Sequence, residues 1–96
     1  FYETVNRAKA YVESGASGIF VPGMIDYDEI KEITMTIHAP INVLSLPELT
    51  NCHVLQELGV QRFSFGNALS DKIISFLDSN AAQLMELQDT SLLYDY

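Results

Sequence analysis

Hydrophobic residues fall along this chain in two alternating patterns, stripes at helical spacing and short unbroken apolar runs. In YETVNRAKAYVES, Val5, Ala8 and Val12 recur at the helical period, and Gly15 follows as the residue type that best tolerates a left-handed helix end. The first helix is therefore predicted to end near Ser14. GIFVPG, residues 18 to 23, is an apolar run bounded by glycines and reads as a strand buried on both faces, with Pro22 at or beyond its end. Asp26 and Glu29 have capping-box-like spacing, and Ile30, Ile33 and Ile37 form one stripe, so a second helix is expected from about Tyr27 to Ile37. Pro40 stops it, and INVL, residues 41 to 44, is a second buried-strand candidate. Pro47 fits the first position of a third helix, with Leu49, Cys52, Leu55 and Leu58 as its apolar face and Gly59 as its end. VQRFSF, residues 60 to 65, is the third strand, closed by Gly66. A long last helix starts between Ala68 and Asp71 and reaches about Gln88, leaving a tail, residues 89 to 96, expected to be frayed or docked on a partner.

This order alternates helix and strand with connections of a few residues, the pattern of right-handed crossovers that build a parallel sheet. The expected class is α/β, with three parallel strands and flanking helices in one domain spanning residues 1–96. Each βα unit covers about two dozen residues, close to the compact repeat of a (β/α)8 barrel. Three strands cannot close a barrel that needs eight.

Composition narrows the partners. With 48% hydrophobic residues the chain can build a core, and its net charge of −8, with only five basic residues, argues against nucleic-acid or anionic-membrane binding. No apolar run approaches the length of a bilayer span, and the first residues lack the apolar core of a signal peptide, so the cytoplasm is the default expectation. The single cysteine, Cys52, cannot form an intrachain disulfide. The chain starts without Met inside a helical pattern, which is read as a truncation or a first ordered residue.

RAKAYVESGASGIFVPGMIDYDEIKEI, then APINVL, then ELGVQRFSFGNAL resemble the final third of isocitrate lyase and phosphoenolpyruvate mutase superfamily proteins, over roughly residues 7 to 85. The most specific part is R-A-x-A-Y-x-E-x-G-A followed by G-I-F-V-P-G. The likeness is closer to the smaller carboxyvinyl-carboxyphosphonate phosphorylmutase-like or methylisocitrate-lyase-like proteins than to the large isocitrate lyases. The resemblance implies the C-terminal portion of a (β/α)8 TIM barrel, from its helix five to helix eight with strands six, seven and eight. It also implies Mg2+ or Mn2+ in the full-length family member, held by acidic residues on earlier strands, and a small carboxylate substrate. None of this chain's own residues is expected to bind the metal, and none is expected to be catalytic. Two departures matter: Pro22 stands where related lyases carry a Glu at the end of strand six, and SLPEL replaces a longer connection after strand seven. Ser17, in place of the usual Asp of Gly-Ala-Asp, reads as a structural change.

Candidate chemistry is correspondingly sparse. Asn42 and Leu44 share one side of their strand, and an inward Asn42 would orient a substrate carboxylate or a metal-bound water; the competing reading is an Asn satisfied by its neighbours. Ser45, at the strand's mouth, is the second substrate-binding candidate, against the plainer role of a turn cap. FGNALSD carries the single glycine of a strand-to-helix turn, weak as a phosphate-binding signal. His38 and His53 lack metal-pair spacing and read as surface residues, Cys52 reads as packing, and Asp26, Asp28 and Glu29 fit a helix's first turn.

Three functions compete: the C-terminal part of a metal-dependent lyase or mutase that cleaves or forms C–C or P–C bonds, inactive by itself; a non-catalytic assembly module derived from such a barrel; and a different phosphate-binding barrel enzyme. The last helix bears on all three. Leu69, Ile73, Ile74, Phe76, Leu77, Ala81, Leu84, Met85 and Leu87 cover about half its circumference, more than the roughly 100° that faces one core. Family members resembling this chain exchange their final helix between subunits, so a homo-oligomer through this helix is expected.

Overall fold

A computed structural model describes all residues from Phe1 to Tyr96. The chain divides into two compact units, Phe1–Gly66 and Asn67–Tyr96. In the first unit the order is α1 (Tyr2–Glu13), β1 (Ile19–Val21), α2 (Tyr27–Thr36), β2 (Ile41–Leu44), α3 (Cys52–Glu57) and β3 (Arg62–Ser64). The three strands form one parallel sheet in the order β1-β2-β3, with Ile19 beside Ile41, Asn42 beside Arg62 and Leu44 beside Ser64. Sequential parallel neighbours joined through helices are the arrangement of a partial (β/α) barrel, as the alternating pattern predicts.

Burial sorts the two faces of the sheet. Ile41 and Val43 are 1% and 0% exposed and share a core with Ile19, with Val5 and Ala8 of α1, Ile30 and Ile33 of α2, and Leu55 of α3. Val21 and Phe63 pack on the edge of that core. Strand alternation then turns Phe20, Asn42, Leu44, Arg62 and Ser64 to the opposite face, which corresponds to the lumen side of a barrel. Phe20 is 51% exposed there, so this face is uncovered. The predicted stripe of α2 holds: Ile30 and Ile33 are fully buried, and Ile37 is the buried residue at the helix's end. Asp26 caps that helix by accepting from the backbone N–H groups of Asp28 (2.8 Å) and Glu29 (3.1 Å). It supplies one half of a capping box with no Ser or Thr.

The third helix departs from expectation. It begins at Cys52, five residues beyond Pro47, because the Asn51 side chain accepts from the N–H groups of His53 (2.9 Å) and Val54 (3.2 Å) and so fixes the start. Pro47 and Glu48 instead occupy a tight turn, with Leu46 and Leu49 paired through two backbone hydrogen bonds of 3.3 and 2.8 Å. Leu49 is fully buried from that turn, not from a helix face. Cys52, read as packing, is exposed, since a helix starting at this residue turns its first position to solvent. The outer strands are also shorter than the apolar runs that predict them.

Two helix ends are built alike. After α1, Gly15 N–H reaches Val12 O (3.0 Å) and Ala16 N–H reaches Tyr11 O (2.9 Å); after α3, Gly59 N–H reaches Gln56 O (3.0 Å) and Val60 N–H reaches Leu55 O (3.0 Å). This is the Schellman pattern, which needs a left-handed residue, and Gly15 and Gly59 take φ of 107° and 98°. At Gly59 a second constraint applies: a Cβ there would lie 2.9 Å from Thr34 Oγ1, whose hydroxyl donates to the Leu58 carbonyl and so ties α2 to the end of α3.

The second unit contains α4 (Ala68–Leu87), ended by Gln88 in the left-handed region at φ 51°, and a 3-10 helix at Ser91–Tyr94. The tail, residues 89 to 96, expected to be frayed or docked on a partner, carries this short helix, and Asp89 Oδ1 accepts from Ser91 N–H at 2.9 Å before it. No residue of α4 is buried.

Gly59→Ala should destabilise the chain by about 1–2 kcal/mol from the left-handed backbone alone, with the Thr34 clash adding to it. Urea unfolding followed by circular dichroism measures this, and the same substitution at Gly15, where a Cβ meets nothing within 4 Å, should cost less.

Candidate functional site

Asn42 lies on the middle strand, between Ile41 and Val43, whose burial holds its side chain on the lumen face. It is half-buried. Its Oδ1 accepts a hydrogen bond from Ser64 Oγ of the neighbouring strand at 3.1 Å. Ser45 follows β2 directly, half-buried, and its backbone N–H donates to the Ser64 carbonyl at 2.7 Å. Ser64 therefore joins both sequence-predicted candidates, through its hydroxyl to Asn42 and through its carbonyl to Ser45. Ser64 ends β3 and Ser45 follows β2, so both lie at the C-terminal ends of the strands, the end that carries the site in this architecture, while Asn42, the second residue of β2, lies deeper in the sheet.

Arg62 is a residue of this face that sequence reasoning misses, since within VQRFSF it reads only as part of a strand. It is the register partner of Asn42 and the single charged residue on the lumen face. Its guanidinium extends over Gly18, where a Cβ would stand 3.4 Å from Nη1 and 3.3 Å from the Pro40 carbonyl. Glycine at 18 thus leaves room for it. Two grooves, of about 320 Å³ between α1 and β1 and about 530 Å³ beside α3 and β3, follow the unpaired edges of the sheet; neither is lined by Asn42, Ser45 or Ser64.

The remaining candidates stay apart from this cluster. His38 and His53 are exposed, as expected of surface residues. Gly66 adopts φ 54° with Leu44 Cδ1 3.5 Å from where its Cβ would be, which accounts for glycine at that turn. No group of three or more His, Cys, Asp or Glu side chains is arranged to hold a metal ion, and the lumen face bears no carboxylate. Mg2+ or Mn2+, hard cations that take oxygen ligands and are commonly held by carboxylates, do not fit the donor set present here. No helix is long and apolar enough to cross a membrane.

Parallel strands joined by helices define the class as a partial (β/α) barrel. Residues 1–85 match the phosphoenolpyruvate phosphomutase family, and the chain belongs to that family, with the fold of the isocitrate lyase/PEP-mutase superfamily over part of the domain. The uncharacterized protein Rv1998c of Mycobacterium tuberculosis is 48% identical over 64 residues, 67% of this chain and 24% of its own length. Oxaloacetate decarboxylase of Ectopseudomonas mendocina is 28% identical over 98% of this chain and 35% of its own length. Two crystal structures from Burkholderia cenocepacia J2315 superpose closely. A candidate phosphonomutase gives a TM-score of 0.80 at 33% identity, covering 84% of this chain and 32% of its own. A candidate lyase/mutase gives 0.84 at 29% identity, covering 97% and 34%. The chain thus spans 24% to 35% of the length of these relatives.

Stoichiometric Mn2+ added to the 15N-labelled chain should leave the resonances of Asn42, Ser45 and Ser64 unbroadened; selective paramagnetic broadening at these residues would show that oxygen ligands converge there after all.

Proposed function

We propose that this chain supplies one side of the active-site barrel of a lyase or phosphomutase acting on a small oxo or hydroxy carboxylate, with Asn42 and Ser45 as its substrate-binding residues. The observation that carries the reading is the family match over residues 1–85, together with a parallel sheet that turns Asn42 to the lumen face. In this reading the protein works on a C–C or P–C bond, in the manner of methylisocitrate-lyase-like or carboxyvinyl-carboxyphosphonate phosphorylmutase-like proteins, in the cytoplasm and with Mg2+ or Mn2+. The charge that develops next to an α-oxo carboxylate needs strong electrostatic stabilisation. This chain has no cluster of metal-ligating side chains, so its own contribution is to orient the substrate by hydrogen bonds.

The exposed face of α4 favours assembly as a further property. Leu69, Ile73, Ile74, Phe76, Leu77 and Met85 are between 52% and 81% exposed. A contiguous apolar surface of this kind marks an interaction site, and a homo-oligomer through this helix is the arrangement proposed. Light scattering across a dilution series should show self-association that weakens on dilution; a monomer at every concentration overturns it.

Residues 1–96 alone should turn over neither a methylisocitrate-like nor a phosphonopyruvate-like substrate when supplied with Mg2+ or Mn2+. Metal-dependent turnover by the purified chain, measured as release of the oxo acid, would refute the division of labour proposed.

A further inference from the structure

We propose that α4 pairs antiparallel with the α4 of a second copy, the two helices crossing at Asn80, which sets the register of the pair. The inference rests on the homo-oligomer proposed above and specifies its geometry. Ile73, Leu77, Asn80, Leu84 and Leu87 recur at alternating intervals of four and three residues, the spacing of a helix seam that faces a partner. Ile73, Leu77 and Leu87 are exposed, while Asn80 and Leu84 are half-buried, so the chain itself leaves this seam largely uncovered. Four of its members are apolar and one is an amide. A purely apolar partner would bury that amide against nothing able to hydrogen-bond, which is costly. Asn80 Nδ2 donates to the Phe76 carbonyl at 2.8 Å, and because a carbonyl can only accept, this contact fixes which end of the amide is the nitrogen. One N–H is used in this way. The second N–H and Oδ1 remain for a partner, and a second Asn80 offers the same donor and acceptor, so two copies satisfy one another reciprocally. A lone asparagine in an apolar seam fixes register in paired helices for this reason.

The flanks of the seam decide the direction. At about 100° per residue, one flank carries Ile74, Ala81 and Met85 and the other carries Lys72, Gln83 and Glu86. Parallel helices bring opposite flanks together, which would set the apolar flank of one copy against the polar flank of the next. Antiparallel helices bring like flanks together. The apolar flank then covers its own copy, and Lys72 comes beside Glu86 of the second copy. Leu77 and Leu84 stand on either side of Asn80, so a crossing at that residue also places each of them beside the other's counterpart. A bilayer surface is the poorer occupant, because an interfacial helix is rich in Lys and Arg on its polar face and α4 has Lys72 alone against Asp71, Asp78 and Glu86.

The test uses the whole chain with its exposed Cys52 replaced by serine, C52S. In that background N80C should oxidise to a disulfide-linked dimer, since a crossing at this residue brings the two Cα atoms within the roughly 4.4–6.8 Å that a disulfide spans. A mixture of L77C and L84C should yield the mixed dimer, and L77C alone should yield none. Linkage of L77C to itself without the mixed product would show a parallel pair and overturn the orientation. Light scattering on the unlinked chain separates this proposal from the reading on which it rests. Dimer formation without any N80C linkage overturns the crossing at Asn80 and leaves the homo-oligomer standing, whereas a monomer at every concentration overturns both. N80L, which removes the buried amide, should associate roughly 10-fold more tightly yet lose its register, so that L77C alone becomes linked in that background. Unchanged affinity with unchanged linkage would place Asn80 outside the seam, and its register role would fall. Circular dichroism of each variant shows that α4 remains helical.

Discussion

The pairing of β2 with a strand on each side is the constraint on which the first unit depends. Its backbone hydrogen-bonding capacity is used in both directions, and Ile41 and Val43 reach 1% and 0% exposure beneath three helices. Fully burying one such side chain contributes about 1.5–3 kcal/mol, and a one-residue slip would exchange both for Asn42 and Leu44. Register is therefore strongly specified. It follows that the polar residue of this strand has no choice of face, and the cluster with Ser64 and Ser45 is a consequence of the same burial that stabilises the sheet. Core and site are set by one alternation.

How much of the chain is legible from its residues varies with the locality of the signal. INVL reads as the middle strand because four consecutive apolar or neutral residues between Pro40 and Ser45 leave few alternatives, and the stripe of α2 marks its buried face. The start of α3 is illegible because two local signals compete: Pro47 is acceptable as a first helical residue, yet Asn51 is a better cap, and the buried Leu49 is equally consistent with a helix or with a tight turn. Asn42 and Ser45 can be named from their own strand. Ser64 cannot be joined to them, since alternation places it on a face but cross-strand register, which decides which side chains meet, is a long-range property. Arg62 escapes notice for the same reason.

Membership of the phosphoenolpyruvate phosphomutase family sits beside an unusually one-sided chemical inventory. The lumen face offers an amide, a hydroxyl and a guanidinium, all able to donate, and no carboxylate for a hard cation. In barrels, chemistry is assembled from the ends of several strands, so neighbouring strands can specialise. In the function proposed above, this chain's three strands take the part of such a division that holds a substrate in place.

The two matching helix ends carry an implication for how the chain can change over evolutionary time. At Gly15 and Gly59 the passage from helix into strand is closed by a pair of backbone hydrogen bonds around a left-handed glycine, and at Gly59 it is further wedged by Thr34. Such joints have no slack, and an inserted residue would break both bonds and rotate the next strand's buried face outward. The opposite passages, from strand into helix at residues 22–26 and 45–51, are fixed mainly by side-chain caps from Asp26 and Asn51. A cap travels with its helix, so these segments can lengthen or shorten without disturbing the sheet. A change of length is thereby easier to absorb at the rim that surrounds Ser45 than at the opposite rim.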